Sequence, residues 1–524
     1  MGLNRTWLAG FLLMVGVHAV WHSFHSAPPA WDMAHHQAMG WVLLEAARAG
    51  RLLAALVSAS DYYPPCVYVL EALVLALTGD HRWLPLAVNL PGLALLSWST
   101  YRLAWLLTAS RFAPAAGWMV LAAPLIAWTS RESLLDPWLS AWVAASLLIL
   151  VRSRGLLERR WVWAMALCVA AGMLTKWSYI LFVVPAGVWI LAAAPERRQR
   201  LLNLLDTVLL SAPLFLWWYL PNARSLYHRL QHTAAGADWE LDPQLDSLLG
   251  WIYYPRSFSS YYLFLPLTLV WVAGLVRAWR SRTVAPGPSG EAGASGSAAG
   301  IRRLLAVSLL GGLVLLTVLK AKDPRYVMPL AAPLFVLLVD FWKDRPRLLT
   351  AVTAWAAVQF LLVSFPVPGI PERIGWFELP GDRAYRSMRQ EWVWFETSYF
   401  GVTGPPRRED WKIRELLGEL PEAAPVGFVP DAASFHPGLL HLEALRQGRK
   451  LDIVRIGADD DWPAQLGKVD WVVGKTGDQG ISLITSFNDE VYAALETLKW
   501  PLVRTWELPD GSRALLWRSP SLSR

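Results

Sequence analysis

Cysteine and charged residues are both scarce in this sequence. Only two cysteines occur among 524 residues, Cys66 and Cys168, and both stand in apolar stretches. This count excludes a disulfide framework and a CxxC metal or redox site. Charged residues make up 17% of the chain, whereas proteins average about 25%. Together with the long apolar runs described below, this composition excludes a wholly soluble protein.

Several functional motifs are also missing. The glycines of the C-terminal segment show no GxGxxG or P-loop spacing, and HExxH occurs nowhere in the chain. No repeat of fixed period is present. The net charge of +7 comes from short clusters between apolar runs, and no basic run is interleaved with aromatic residues. Nucleic acid is therefore not an expected partner.

Long apolar runs dominate the first 365 residues. Hydrophobic residues make up 55% of the chain, and runs of about 15 to 25 apolar residues predict membrane spans. We predict eleven spans: 7–24, 84–108, 114–130, 137–151, 161–175, 177–193, 203–220, 260–277, 303–320, 326–342 and 348–365. A further run, Cys66–Thr78, has only 13 residues, so we predict an interfacial or re-entrant segment there.

The charges of the connecting loops predict an orientation. Loops on the N-terminal side are basic; 152–160 has four arginines against one glutamate. Opposite loops are net negative, and 22–83 has five acids against three bases. Because basic loops stay in the cytoplasm, the N-terminus is predicted inside. Counting Cys66–Thr78 as a span would break this alternation.

The composition divides the chain into two domains. Residues 1–365 are predicted to form a helical polytopic membrane domain, with an outer loop at 25–83 and a flexible cytoplasmic linker at 284–300. Residues 366–524 have a mixed composition and predict an extracytoplasmic α/β domain. Its predicted elements are strands at 426–429, 451–456 and 469–473, helices at 438–447 and 489–498, and a hairpin around 509–512.

The N-terminal segment has a second interpretation. Arg5, the apolar stretch after it and the small residues around Ala30 are also typical of a signal peptide. Cleavage there would leave the later loops on the same sides of the membrane.

Two acids in the predicted outer loops could carry chemistry. Asp32 follows the first span, and a carboxylate at a membrane surface can act as a general base toward a hydroxyl. Asp136 precedes a proline at the start of the fourth span and could face Asp32 across one cavity. Each acid could instead cap a helix N-terminus. His35 and His36 are adjacent in sequence, which does not favour a shared metal site.

Outward cations oppose the usual charge preference. Lys176 follows one span, and Lys320, Lys322 and Arg325 stand in a second loop whose net charge is +2. Phosphate from a lipid-linked substrate is a natural partner, because lysine and arginine bind it strongly. Attraction to anionic lipid headgroups is the alternative.

These residues belong to short motifs that occur in a familiar order. The motifs are Asp32 in the first outer loop, Tyr62-Tyr63-Pro64-Pro65, Ser130-Arg131 followed by Asp136, Gly172-Met173-Leu174-Thr175-Lys176 and Lys322-Asp323-Pro324-Arg325-Tyr326. Over residues 1–365 the chain resembles the polyprenyl-phosphate-sugar-dependent glycosyltransferases. The similarity is to the group of dolichyl-phosphate-mannose protein mannosyltransferases and aminoarabinose lipid A transferases, which have the multi-span GT-C fold.

The resemblance implies roles for individual residues. Asp32 and Asp136 match the family's catalytic acids. Met33 stands where many members have glutamate, which leaves open whether Asp32 is the sole base and whether a divalent metal takes part. The residues expected at the donor phosphate are Lys176, Lys320, Lys322, Arg325 and Tyr326. The residues expected to shape the cavity are Tyr62, Tyr63, Pro64 and Arg131.

The function predicted is transfer of a sugar from a polyprenyl-phosphate donor to a lipid, glycan or protein acceptor, with inversion at the anomeric carbon. The resemblance places this reaction at the outer face of a bacterial inner membrane. No other cofactor is expected. A secondary transporter or lipid flippase is the alternative from another class, although transporters tend to carry charges at the bilayer midplane. A catalytically inactive scaffold that presents the outer domain is a third.

The topology is testable with reporter fusions. Fusions at Gly300 and Gly511 should report cytoplasm and exterior respectively, because the basic loops hold one side inside. If both reporters are found on one side of the membrane, the eleven-span topology is wrong.

Overall fold

The computed structural model of the chain describes residues 4–60, 62–193, 196–235, 242–284, 297–378, 391–397, 404–480 and 484–520. The described residues up to 365 form helices and the loops that connect them. In chain order the helices are α1 (Arg5–Phe24), α2 (Trp31–Arg48), α3 (Leu52–Ser58), α4 (Cys66–Thr78), α5 (Leu84–Thr108), α6 (Ala113–Ala122), α7 (Pro124–Thr129), α8 (Asp136–Arg152), α9 (Val162–Thr175), α10 (Tyr179–Ala193), α11 (Arg197–Ala235), α12 (Leu248–Ser257), α13 (Phe264–Val284), α14 (Ala298–Val318), α15 (Ala331–Trp342) and α16 (Pro346–Ser364). Short 3-10 helices lie at Arg159–Trp161 and Pro324–Leu330, and a π-helix lies at Phe258–Leu263.

Every predicted span falls on one or more of these helices. Within the described ranges, six helical segments are long and apolar enough to cross a membrane, judged by length and composition: Arg5–Phe24, Arg197–Gln231, Leu248–Arg280, Ala298–Val318, Pro324–Trp342 and Pro346–Ser364. The other predicted spans coincide with helices outside this group, so the count of eleven stays a prediction. The helices support an integral membrane protein.

Prolines interrupt two of the predicted spans. The span predicted at 114–130 is divided into α6 and α7 at Ala123, which has extended backbone angles before Pro124. The residue before a proline disfavours helical angles, so the break has a local cause. The span predicted at 326–342 begins as a 3-10 helix that contains Pro324 and Pro329.

The segment Cys66–Thr78 forms α4, with the bounds predicted from the sequence. Its 13 residues measure about 20 Å along the axis, less than the roughly 30 Å of a bilayer core. The helix packs against α2 and α5. Both its length and its packing agree with a segment that does not cross the membrane.

The predicted cytoplasmic loops contact one another at one end of the bundle. Arg200 donates hydrogen bonds to the carbonyl oxygens of Arg154 and Gly155 at 2.6 and 2.8 Å. Arg277 donates to the carbonyl oxygen of Phe341 at 2.9 Å. These bonds tie the basic loops together in neighbouring pairs.

Helix α15 lies at the centre of the bundle. Residues 331–340 are buried on every face of this helix, as expected for a helix that is apolar all round. It packs against α5, α6 and α13. The helix therefore provides a fixed wall behind the loop that carries Arg325.

The described part of the C-terminal segment contains two sheets. Its elements are β1 (Arg373–Glu378), β2 (Glu391–Glu396), α17 (Ile413–Glu419), β3 (Pro425–Phe428), α18 (Pro437–Arg446), β4 (Asp452–Arg455), α19 (Trp462–Leu466), β5 (Trp471–Lys475), α20 (Asn488–Thr497), β6 (Leu502–Glu507) and β7 (Arg513–Arg518). β1 and β2 form an antiparallel pair, and the larger sheet has the order β4-β3-β5-β7-β6. β3 pairs in parallel with β4 and β5, and the other pairs are antiparallel. The strands, helices and final hairpin predicted here are confirmed within two residues. Residues 285–296 of the predicted linker lie outside the described residues.

The α/β segment is held against the loop that is predicted to be extracytoplasmic, 25–83. The indole nitrogen of Trp31 donates to the carbonyl oxygen of Asp431 at 3.0 Å. The Arg446 guanidinium pairs with Asp80 at 2.8 Å and donates to Gln37 at 3.1 Å. Helix α18 packs along α2, so the domain fixes the helix that carries Asp32.

Candidate functional site

Asp32 lies in the first turn of α2 and is paired with Arg325. The N-cap of α2 is Ala30, and no side chain caps this helix. Asp32 is therefore not a helix cap. Its Oδ2 atom accepts from both terminal nitrogens of Arg325 at 3.2 Å, although the two residues are 293 positions apart.

Arg325 joins Asp32 to Asp323. The backbone nitrogen and Nε of Arg325 donate to Asp323 at 2.7 and 2.9 Å. Asp323 is also the N-cap of the 3-10 helix that begins at Pro324. One guanidinium thus holds two carboxylates, and the short helix fixes where it stands.

The charges around Asp32 change its acidity. Burial raises the pKa of this carboxyl, but the Arg325 guanidinium and the Lys176 ammonium oppose that effect, and the pKa lies below its usual range. The side chain is 48% exposed. Asp32 is therefore an ionised carboxylate with an accessible face. Its Oδ1 atom accepts no hydrogen bond from any described residue.

Asp136 and Lys176 form a second ion pair beside the first. Asp136 is the first residue of α8, whose N-cap is Leu135, so this acid too is not a cap. Lys176 directly follows the last residue of α9. Because α8 begins where α9 ends, Oδ1 of Asp136 and Nζ of Lys176 lie 3.0 Å apart. Both side chains are largely buried.

Two tyrosines complete the surroundings of Lys176. Its Nζ lies 5.8 Å from the ring centre of Tyr63 and 5.2 Å from that of Tyr326. Aromatic faces attract a cation at such distances. Tyr326 directly follows Arg325, so the two ion pairs are neighbours.

A cavity of about 140 Å³ opens at this second ion pair. Its polar lining residues are Tyr62, Tyr63, Asp136, Lys176, Ser178, Lys320 and Tyr326. Its apolar lining residues are Leu139, Trp177, Leu181, Phe182, Leu230, Leu316, Leu319 and Ala321. Because Lys176 and Lys320 lie in the same lining as these apolar residues, the cavity suits an amphiphile with an anionic head.

Lys322 does not line this cavity. Its Nζ is turned inward and donates to the carbonyl oxygens of Thr317 and Leu319 at 2.9 and 2.7 Å. Burial lowers the pKa of Lys322 to about 8, although Asp242 raises it. The ammonium therefore closes the C-terminal end of α14 in place of a capping residue.

Arg131 also lies apart from the cavity. Its guanidinium donates to His18 at 3.3 Å and to the hydroxyl of Ser364, and it stacks over the ring of Trp21 at 4.9 Å. These contacts join α1 to α16. Pro64 is buried next to Tyr63 without lining the cavity.

The sequence interpretation did not single out the apolar lining. Leu181, Phe182 and Leu316 are indistinguishable from ordinary span residues, because every face of a membrane helix is apolar. It also missed Tyr262 of the π-helix, whose hydroxyl donates to the carbonyl oxygen of Pro324 at 2.9 Å. π-helical turns often occur at functional sites, but no residue pattern in the sequence reveals one.

The acids of the site do not form a metal-binding set. Among the described residues, no group of three or more His, Cys, Asp or Glu side chains could hold a metal ion. Asp32 and Asp136 each face a cation, Arg325 and Lys176 respectively. These residues therefore do not fit a divalent metal.

Comparison with known proteins identifies the fold. No protein-family model and no curated protein matches the sequence. The structure is similar to ArnT from Cupriavidus metallidurans bound to undecaprenyl phosphate, with a TM-score of 0.60, 13% identity and 98% of each chain covered. The same protein in its apo state gives 0.59, 15% identity, and 98% and 97% coverage. The chain has the GT-C fold.

A second known protein supports this fold assignment. The Archaeoglobus fulgidus oligosaccharyltransferase in its apo form gives a TM-score of 0.52 at 10% identity, over 90% of this chain and 69% of that one. All of these relatives are membrane glycosyltransferases. The GT-C fold predicted from the order of the five motifs is thereby confirmed.

Proposed function

We propose that the protein is a membrane glycosyltransferase that uses a polyprenyl-phosphate sugar as donor. The observation that carries this proposal is the cavity lined by two lysines and by apolar residues, close to the half-exposed carboxylate of Asp32. The likeness to ArnT bound to undecaprenyl phosphate supports it. The acceptor is a lipid, glycan or protein. The reaction takes place at the outer face of a bacterial inner membrane.

The donor phosphate binds at the lysines of the cavity. An ammonium has three donors, and only one of those on Lys176 is directed at Asp136. The others, together with Lys320, bind the phosphate, while the apolar lining residues contact the first isoprene units. Lys176 then stabilises the negative charge that grows on the phosphate as it leaves.

Asp32 acts on the acceptor. Arg325 holds its Oδ2 atom, and Oδ1 receives the proton of the attacking hydroxyl or amine. The acceptor atom forms its bond to the anomeric carbon as the bond from that carbon to the phosphate oxygen breaks, and the electron pair leaves with the phosphate. A single displacement of this kind inverts the anomeric carbon.

The role of Asp32 is tested by measuring transfer in the Asp32→Asn variant. Transfer from a labelled polyprenyl-phosphate sugar should fall by about 10² to 10⁴, the usual cost of a lost general base. Donor binding should persist, since Asn keeps the size of the side chain. Asp344→Asn, at the opposite end of the bundle, should leave transfer unchanged. Near wild-type turnover in Asp32→Asn would contradict the role.

A lysine substitution tests whether the donor phosphate binds in this cavity. Lys176→Ala should weaken binding of a short-chain polyprenyl phosphate by about 1 to 3 kcal/mol, as expected for a charge-assisted hydrogen bond. Lys343→Ala, on the predicted cytoplasmic side, is the matched control and should bind normally. Titration in neutral detergent measures both. Equal affinity in the two variants would show that the phosphate binds elsewhere.

The Arg325–Asp32 pair predicts a pH effect. Because the pKa of Asp32 is lowered, transfer should stay nearly constant from pH 7 to about pH 5, above the usual carboxyl range. Arg325→Gln removes a positive charge that lowers this pKa, so the acid limb of kcat/KM should move up by about 1 to 3 pH units. Arg325→Lys keeps the positive charge and should return the acid limb of kcat/KM to its wild-type pH. An unmoved limb in Arg325→Gln would disprove the coupling.

A further inference from the structure

A second and larger cavity lies between the α/β domain and the outer end of the membrane domain. Its volume is about 700 Å³, within the range of small-molecule sites. The membrane domain contributes His22, His25 and Glu132 to its lining. The α/β domain contributes Trp411 and Glu443 among others. It shares no lining residue with the smaller cavity at Asp136 and Lys176, which is called the donor cavity below.

The charges of this cavity nearly cancel. Five arginines and six acids line it. Arg446 is paired with Asp80 and Glu443, and Arg414 is paired with Glu443 at 2.8 Å. The buried guanidinium of Arg131 donates to groups of α1 and α16. Arg82 and Arg408 donate to the carbonyl oxygens of Ser23 and Phe24. With five arginines against six acids, the lining has no surplus of positive charge for an anionic ligand.

One buried polar side chain of the lining lacks a partner. Glu132 is only 6% exposed, and its carboxyl forms no hydrogen bond with any described residue. Buried polar groups without partners cost free energy. Neutral hydroxyl groups of a ligand would supply the missing hydrogen bonds.

We propose that this cavity binds an uncharged, hydroxyl-rich head group, that is, a carbohydrate, through Glu132. Trp411 offers an apolar ring at the wall of the cavity, and aromatic side chains supply contact area with an amphipathic character. Burial also raises the pKa of Glu132 to about 8. Near pH 7 its carboxyl thus carries a proton and both donates to and accepts from hydroxyls.

The cavity reaches the catalytic end of α2. Pro28 and Pro29 line it and lead into the first turn of α2. Pro29 is three residues before Asp32, so the chain limits their separation to about 11 Å. A head group bound here can present a hydroxyl toward Asp32. Its role as the acceptor rests on the proposed function, whereas sugar binding itself does not.

The test is binding of methyl α-D-glucopyranoside to the full-length protein. Saturation-transfer NMR in a detergent without a sugar head group, and without donor, reports it directly. Wild type should bind the probe at millimolar concentration. Glu132→Leu should weaken binding about tenfold or more, because it removes every hydrogen bond at nearly constant size. Glu132→Gln should retain binding, since the amide both donates and accepts.

The matched control is Glu415→Leu. Glu415 lines the same cavity but is exposed and paired with Lys412 at 3.1 Å, so this variant should bind like wild type. Absence of binding to wild type, or undiminished binding to Glu132→Leu, overturns the proposal. Donor affinity distinguishes the two hypotheses: sugar binding can fail while polyprenyl phosphate still binds through Lys176, and the reverse also holds.

Discussion

The site depends on one guanidinium held between two carboxylates. Arg325 donates to Asp323 through its backbone and Nε and to Asp32 through its terminal nitrogens. A buried cation is costly without partners, so the 3-10 helix and the first turn of α2 are bound to each other. Because Asp32 keeps one oxygen accessible, the same contact that fixes the fold leaves a carboxylate ready for an acceptor.

The two cavities at this end of the bundle differ in the polar groups that line them. The donor cavity is lined by Lys176, Lys320 and apolar residues, which suit a lipid phosphate. The larger cavity has nearly balanced charge and an unpartnered buried acid, Glu132, which suit a neutral sugar. The first turn of α2 lies next to both, and the α/β domain fixes that helix through Trp31 and Arg446. The proposed chemistry is therefore located between two binding sites of different character.

Much of this arrangement could be predicted from the sequence, because apolar runs and loop charges are local properties. The helices, the segment Cys66–Thr78 and the strands of the α/β domain follow from such patterns. The same holds for the shared location of Asp32, Asp136 and Lys176, which follows from span parity. The orientation of single side chains cannot be predicted from such local patterns. Lys322 turns inward to meet carbonyl oxygens, and Arg131 contacts α1 and α16, because these choices depend on partners far away in sequence.

A structure determined with undecaprenyl phosphate would test the account most directly. The account predicts phosphate oxygens within about 3 Å of Nζ of Lys176, the distance of a charge-assisted hydrogen bond. The first isoprene units should then contact Leu181 and Leu316. A phosphate bound in the larger cavity beside Glu132, or an isoprene chain that does not contact the apolar residues of the donor cavity, would contradict it.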